Sequence, residues 1–493
     1  MPGKPTVAVI GLGASGLVTM KNLTEEGFDV TGFERSSSIG GVWSYEDTPT
    51  KTTVLRSRIS SARVTAASSN NVRQICFTDF PHRPETPVYP RGSQMHQYLR
   101  DYATHFNIHG SIETNVDVQE IARNDEKDCW DLRLRSTKSN AANVITRRFD
   151  RVVIASGINH IPVVPKIKGI EKFGGKVIHS QQFKNPNEFA GKQVLVVGLN
   201  NSAGDTAVSL LGIAGKIYIS HRKGTIILKR WVRNKPTDHN ISWVRLQIMQ
   251  RYMDYVPGLY NWSILQLQNK LHPKGLKPEW KLNEDLPPFT QRLPLVNDEL
   301  VDAMHEKKII PLLNITEVLD GDTVRLSDGT MISDLDAIIF SYVCGVGFQM
   351  AVFHIYDLAS MALAQVWSGN SPLPPVEEMR AQVDAHYEWI LSRARQGSVH
   401  PDLVRTPEWY RWVNEAAGTG VYEKLGYGVE GWRFWVGDRA WCNTLMYRIW
   451  SPHAYRLFDT GRRKRWDGAK QEILRVVREI EEMGNEVGSE KEE

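Results

Sequence analysis

The chain has 493 residues, a formal net charge of +4 from 60 Lys and Arg against 56 Asp and Glu, 41% hydrophobic residues and 24% charged ones. At roughly 150 residues per domain, that length predicts about two to four domains with sizeable cores, and the composition excludes wholesale disorder. So small a net charge gives no reason to expect nucleic-acid binding. The cysteines Cys76, Cys129, Cys344 and Cys442 are scattered without a CxxC pair. That argues against a zinc site, a disulfide scaffold or a dithiol redox centre, and makes a reducing compartment the default.

No run approaches the ~20 apolar residues needed to cross a bilayer. No signal peptide precedes the strand-like Thr6 to Ile10, so a soluble, cytoplasmic protein is expected. The run Val7-Ala8-Val9-Ile10 meets a glycine-rich turn, a helix to about Glu26 and a second strand from Asp29 to Phe33. That is a β-α-β unit, the start of a doubly wound sheet. Residues 129–154 hold two more strand candidates, the last being Arg151-Val152-Val153-Ile154. After the proline-rich Ile161-Pro162-Val163-Val164-Pro165, a natural crossing point between domains, a second unit begins. Its strand is Gln193-Val194-Leu195-Val196-Val197, its turn starts at Gly198, its helix runs to about Leu211, and its next strand is Lys216 to Ser220. Residues 241–273 read as helical, a strand returns at Leu335 to Phe340, and from about 354 the pattern is helical and rich in tryptophan. Residues 474–493 read as a helix fraying into a charged tail. Beyond the two units no internal repeat is visible.

The first turn reads Gly11-Leu12-Gly13-Ala14-Ser15-Gly16, with Glu34 ending the next strand. The glycines permit a tight turn, close backbone approach to a pyrophosphate and helix-to-sheet packing, while Glu34 can accept from a ribose hydroxyl. Gly40-Gly41-Val42-Trp43 is a second glycine turn, or else an ordinary loop with a core tryptophan. The second unit reads Gly198-Leu199-Asn200-Asn201-Ser202-Ala203-Gly204-Asp205. Asn200 and Ala203 replace the second and third glycines; asparagine tolerates a left-handed backbone, and alanine still packs closely. The cations in Ser220-His221-Arg222-Lys223-Gly224 suit a 2′-phosphate, hence NADPH, though a solvated basic turn is the alternative.

These residues resemble the class B flavin-dependent monooxygenases. Phe173, Gly175, His179 and Phe183 fit that family's FxGxxxHxxx(F/Y) fingerprint at every position, between the two dinucleotide turns. In the family this motif links domains. Ala155-Ser156-Gly157 resembles its Ala-Thr-Gly turn, and Cys76-Phe77-Thr78-Asp79-Phe80-Pro81 its F-S-D-F-P loop, with Ser93-Gln94-Met95 leading into the following helix. The run from Asp357 to Ala362, Gln365-Val366-Trp367, and Ser451-Pro452-His453 with Arg456-Leu457-Phe458-Asp459 resemble fungal members of the dimethylaniline monooxygenase type. Baeyer–Villiger members fit less well: their fingerprint ends in tryptophan followed by Pro or Asp, where Phe183-Lys184 stands here. Nor does Ser44-Tyr45-Glu46-Asp47 match their tryptophan-rich continuation.

The resemblance implies an α/β fold with two Rossmann-like domains, the NADPH domain inserted in the FAD domain, and a helical C-terminal extension. The implied boundaries are 1–160 and 326–370 for FAD, 161–325 for NADPH and 371–493 for the extension. It implies FAD against Gly11, Gly13, Ala14, Ser15, Gly16, Glu34, Gly41, Val42, Trp43, Ser69 and Val116. NADPH is implied against Gly198, Asn200, Asn201, Ser202, Ala203, Ser220 and Arg222. The implied reaction takes O2 through a flavin hydroperoxide to a nitrogen or sulfur centre of a small molecule, as in a tailoring step of fungal secondary metabolism. A Baeyer–Villiger enzyme and an impaired relative kept as a binding protein are the alternatives. The family's asparagine near the flavin's reactive carbon falls at Ser69, or at Asn70 after a one-residue slip, with Asn71 beside it.

A second departure follows Phe340. Ser341-Tyr342-Val343-Cys344-Gly345 stands where the family has an Ala-Thr-Gly-Tyr turn and a long loop, and Gly347-Phe348-Gln349-Met350 already resembles the next helical region. The return segment is expected to be shortened, either because the gene sequence is truncated here or because the protein binds FAD less securely than its relatives. Smaller features get plainer readings: Lys229-Arg230-Trp231 near the nicotinamide, Arg462-Arg463-Lys464-Arg465 as a solvated loop, and Trp432, Trp435 and Trp441 as helical core.

Overall fold

A computed structural model describes residues 4–45, 75–138, 143–157, 162, 164–232, 235–237, 241–284, 286, 294–341, 352–394 and 404–489. The first unit comprises β1 (Thr6–Ile10), α1 (Ala14–Glu25), β2 (Asp29–Glu34), α2 (Gly92–His105) and β3 (Ile112–Thr114). An antiparallel meander of β4 (Val116–Asn124), β5 (Cys129–Ser136) and β6 (Val144–Phe149) then delivers the chain to β7 (Arg151–Ile154). Its parallel sheet has the order β3-β2-β1-β7. Val7, Ala8 and Val9 are fully buried, as befits a central parallel strand covered on both faces. The strand order reverses at β1, so its carboxyl end is the topological switch point where such sheets bind ligands.

The second unit repeats this plan. It contains β8 (Lys176–His179), β9 (Gln193–Val197), α3 (Asn201–Ser209) and β10 (Lys216–His221). Short pairings follow at β11 (Ile227–Leu228), β12 (Trp231–Val232) and β13 (Lys235–Pro236), then α4 (Trp243–Tyr255), α5 (Pro257–Leu271), β14 (Leu295–Val296) and α6 (Leu300–His305). After β15 (Ile309–Leu313), a second meander of β16 (Ile315–Asp320), β17 (Thr323–Leu326) and β18 (Met331–Ile332) leads to β19 (Ala337–Phe340). The parallel order is β15-β10-β9-β19-β8. In both units the meander returns the chain to the strand beside the first one. The duplication therefore extends beyond the two β-α-β units that the sequence displays.

Two expected boundaries change. The strand Ala337–Phe340, placed by sequence on the FAD return segment that starts at 326, lies inside the second sheet, flanked by β8 and β9. Four apolar residues without a polar face need cover on both sides, and that slot supplies it. The chain rejoins the first unit with α7 (Val352–Trp367), which precedes α8 (Val376–Ala394), α9 (Thr406–Ala417), α10 (Val421–Lys424), α11 (Val429–Gly437), α12 (Arg439–Tyr447) and α13 (Ala469–Ser489). A helix with apolar side chains on more than one face needs cover on each of them. Accordingly Phe353 and Ala364 of α7 enter the first unit's core, while Ile355, Leu358 and Met361 enter a helical core with Tyr410, Val413 and Trp450. Trp243 and Leu246 of α4 join that helical core, so part of the region assigned to the NADPH domain packs with the C-terminal helices. Trp441 is buried there, but Trp432 is 58% exposed, and Arg463 is buried rather than solvated, donating to the Thr419 carbonyl at 3.1 Å.

Beneath the first unit, α1, the segment 75–82, α7 and the turn at 452–456 converge on a buried charge cluster. Lys21 pairs with Asp79 and, at 2.8 Å, with Glu25. Asp357 accepts from the Thr78 amide at 2.8 Å, the Thr78 hydroxyl at 2.7 Å and the Asn22 amide group at 2.9 Å. Arg456 enters from the C-terminal region and reaches Asp79 at 3.4 Å. Burial alone would push the Asp79 carboxyl up, but the Lys21 ammonium and the Arg456 guanidinium outweigh it and hold it at about 2. A carboxylate depressed below its ordinary 3.8 contributes stability that is complete above that value and is lost as the pH falls through about 2. Asp79→Asn is therefore expected to lose less melting temperature than the parent between about pH 4 and 2. Parallel thermal melts across that window check this; equal losses contradict it.

Candidate functional site

The turn after β1 is shaped by backbone demands that only glycine meets. Gly11 has φ +91°, and a Cβ there would lie 2.7 Å from the Ala155 carbonyl oxygen in the turn after β7. Its N–H donates to the Phe33 carbonyl at 2.8 Å, tying the turn to the end of β2. A Cβ on Gly16 would collide with the Gly11 carbonyl, so its absence lets α1 seat against the turn. Gly13 precedes α1 in an extended conformation, and no side chain caps the amides that begin with Ala14 and Ser15. Uncapped amides at a helix start, in a turn of bare backbone, fit a pyrophosphate.

Glu34 is fixed beside this turn. One carboxylate oxygen accepts from the Leu12 N–H and the other from the Ser36 N–H, each at 2.9 Å. Each oxygen keeps a further lone pair, the capacity a ribose hydroxyl would use. The second glycine turn packs against the first: the Gly40 N–H donates to the Leu12 carbonyl at 2.8 Å, and a Cβ on Gly41 would lie 3.1 Å from the Gly13 Cα. Val42 is half-buried, and Trp43 is a core residue, its ring 6.2 Å from that of Phe353. For Trp43 the plainer reading thus holds, while Gly41 belongs to the double turn. Val116 opens β4 directly after Asn115, whose N–H donates to the Ser36 carbonyl at 2.9 Å, so it stands near Glu34. A cavity of about 330 Å³, on the scale of ligand pockets, is lined there by Ile39, His96, Arg100 and Thr114 among others.

The turn after β9 is built differently. Gly198 has φ +129°, and a Cβ there would lie 2.7 Å from the Ser341 carbonyl oxygen. Asn200 is extended at φ −127°, which corrects the expectation of a left-handed backbone. The position is the helix N-cap, where extended backbone is normal and a side-chain oxygen is wanted. Asn200 Oδ1 accepts from the Ala203 N–H at 2.9 Å, and its Nδ2 donates to the Ser341 carbonyl at 3.0 Å. One amide that a phosphate would use in the first turn is thus already satisfied in the second. Asn201 accepts from the Val296 N–H at 2.7 Å, Ser202 is half-buried on the first turn of α3, and Ala203 is fully buried in the core.

Ser220 does not join this site. Its hydroxyl is buried and donates to the Leu313 carbonyl at 2.8 Å, because β10 needs a partner for it inside the sheet. Arg222 and Lys223 are exposed just past the end of β10. Arg230 is buried, 3.3 Å from Asp298 and 3.7 Å from Asp205 of α3, and its carbonyl accepts from the Tyr89 hydroxyl at 2.8 Å. Trp231 meets the Tyr89 ring at 5.2 Å, and Lys184 lies 6.0 Å from the Tyr45 ring centroid. Lys229-Arg230-Trp231 thus forms part of the seam between the units.

The fingerprint residues are structural here. Gly175 lets β8 approach the Asp336 carbonyl, His179 Nδ1 accepts from the Gln181 N–H at 3.1 Å, and Phe183 is core. Ser69, Asn70, Asn71 and the stretch from Tyr342 to Met350 lie outside the described residues. Sequence reasoning missed the tie from Tyr89 to Arg230 and the Asp357–Arg456 cluster. Both join residues far apart in the chain, and no spacing signals them.

A family described as Flavin-binding monooxygenase-like matches residues 4–354. Monooxygenase aurF of Gibberella zeae is 37% identical over 524 aligned positions, covering 95% of this chain and 97% of that protein. N-oxide-forming dimethylaniline monooxygenase 4 of Mus musculus is 30% identical over 68% of this chain and 58% of that protein. Among solved structures, S-allyl-L-cysteine S-oxygenase from Allium sativum shares the fold with a TM-score of 0.58 and 18% identity, over 97% of this chain and 98% of that one.

Proposed function

Because the chain belongs to the flavin-binding monooxygenase-like family, we propose that it inserts one oxygen atom of O2 into a nitrogen or sulfur centre of a small organic molecule. As a flavin monooxygenase it uses FAD and NADPH. In this reading FAD lies on the first unit and NADPH on the second. The carrying observation is the contrast between the two turns: a bare-backbone cradle beside Glu34, and a capped turn beside Arg222 and Lys223.

Each residue's part follows from its surroundings. The amides of Gly13, Ala14 and Ser15 would face the pyrophosphate, Glu34 the ribose, and Val116 the adenine end. Reduced flavin supplies the activation of O2 when it is bound. The chain's own work is to hold the rings and exclude water, while the buried core residues Trp43, Phe77 and Phe353 stiffen the second glycine turn. Asn70, or Ser69, would stand closest to the reacting atoms. No general acid or base is required of the described residues. Nitrogen as the target is supported by the N-oxide-forming relative, and we extend the proposal to a tailoring step in fungal secondary metabolism. We place the protein in the cytoplasm; among the described residues no helix is long and apolar enough to cross a membrane.

Arg222→Ala is expected to cut the preference for NADPH over NADH by roughly tenfold, the worth of one charge-assisted hydrogen bond. Flavin reduction rates with each nucleotide check this, and an unchanged ratio contradicts it. The reaction itself is tested by following NADPH-dependent product formation with an amine, a thioether and a cyclic ketone. N-oxide or sulfoxide supports the proposal, and lactone alone would replace it with Baeyer–Villiger chemistry. The alignment with the fungal relative spans 524 positions against the 493 residues of this chain, so gaps open in this chain. That favours one second reading, a relative that binds cofactor without turnover, for which all three substrates would stay unchanged.

A further inference from the structure

Arg456 is a fully buried cation with partners on several elements. Its side chain is 1% exposed, and its guanidinium touches three separate segments. On α1 it donates to Asn22 Oδ1 at 2.5 Å and to Glu25 at 3.3 Å. On the segment 75–82 it donates to the Thr78 hydroxyl at 3.2 Å and pairs with Asp79 at 3.4 Å. On α7 it lies 3.8 Å from Asp357. Its own turn is closed by a further bond to the Lys464 carbonyl at 2.9 Å and by His453, whose Nδ1 donates to the Thr78 carbonyl at 2.9 Å.

These three segments adjoin the double glycine turn. α1 begins at that turn. Phe353 of α7 meets the ring of Trp43, which ends the second glycine turn, and Phe77 meets Phe353 at 5.1 Å. A buried ion network of this kind gains little stability over apolar residues of similar volume, because desolvation consumes most of the attraction. What it does fix is geometry, since a planar guanidinium with five directed donors accepts few arrangements of its partners. An ordinary apolar core under α1 would hold the helix with less control of its axial position.

We propose that Arg456 is a positioning residue of the flavin site, setting α1 against the segment 75–82 and α7 so that the double glycine turn keeps the spacing FAD requires. The proposal rests on the reading that this turn holds FAD. It makes the C-terminal region a working part of the first unit.

Arg456→Lys keeps the charge among its carboxylates but cannot bridge three segments, so it is the primary variant; Arg456→Met removes the charge as well. Flavin dissociation constants come from equilibrium dialysis of each protein, and NADPH binding from nucleotide fluorescence. Arg456→Lys is expected to weaken FAD binding about tenfold while NADPH binding changes less than about twofold, with Arg456→Met weaker still for FAD. A folded Arg456→Lys protein that melts lower but binds FAD like the parent would overturn the proposal, leaving a purely structural role. So would equal weakening for both nucleotides. Gly13→Ala serves as the reference: if it too leaves FAD binding unchanged, the fault lies in assigning FAD to this turn, and the proposal falls with that assignment.

Discussion

Gly13→Ala is expected to yield a folded protein that no longer retains FAD. The fold has room for the change: Gly13 sits at φ −76°, open to any residue, and its Cβ would lie 3.6 Å from the Gly41 Cα, an ordinary contact. Exchanging glycine for alanine at an N-cap costs only about 1 kcal/mol or less, a few degrees in melting temperature at most. The methyl group would nonetheless stand where the backbone must approach the pyrophosphate, and about a hundredfold loss in FAD affinity is expected. Gly16→Ala is a different experiment, because its Cβ would strike the Gly11 carbonyl and fold and binding would fail together. Equilibrium dialysis with FAD, beside a thermal melt of the apoprotein, separates the two effects for Gly13→Ala. Retained affinity would show that FAD does not use this turn.

Asp357→Ala is expected to be the most destabilising single change in the charge cluster. Asp357 is fully buried and accepts three hydrogen bonds from Thr78 and Asn22, with Arg456 at 3.8 Å. Its removal strands two neutral side-chain donors, one backbone amide and part of a buried guanidinium. Breaking a buried charge network from one side costs about 3–5 kcal/mol, whereas the cavity left by a carboxylate adds little. Denaturant unfolding at neutral pH measures this directly. A loss under about 1 kcal/mol would mean that water replaces the carboxylate and that the cluster is looser than its distances imply.

What the sequence made legible was local. Gly11, Gly13 and Gly16 announce their turn by their spacing between a short apolar strand and a helix, and Glu34 follows at the end of the next short strand. The second turn was legible in place but not in mechanism. Asn200 suggests a left-handed residue, yet it works as a cap tied to Ser341, a partner 141 positions away. Ala337–Phe340 read correctly as a strand, but four apolar residues do not say which of two parallel sheets will take them. Ser220 looked like a phosphate ligand because the side to which a strand residue points cannot be told without the sheet. The meanders stayed hidden because they carry alternation without a motif. Arg456 stood inside a run that resembles fungal members, with nothing local to distinguish it from the surface arginines nearby. Its partners Asn22 and Thr78 lie 434 and 378 residues away.

The most direct test of the whole account is the visible spectrum of the purified protein after loading with FAD. It is recorded without oxygen before and after NADPH, and again on admitting air. The account predicts bound oxidised flavin that NADPH bleaches and air restores, which requires both turns to be occupied and within reach of each other. Protein that takes up no flavin, or flavin that NADPH leaves unbleached, would contradict it.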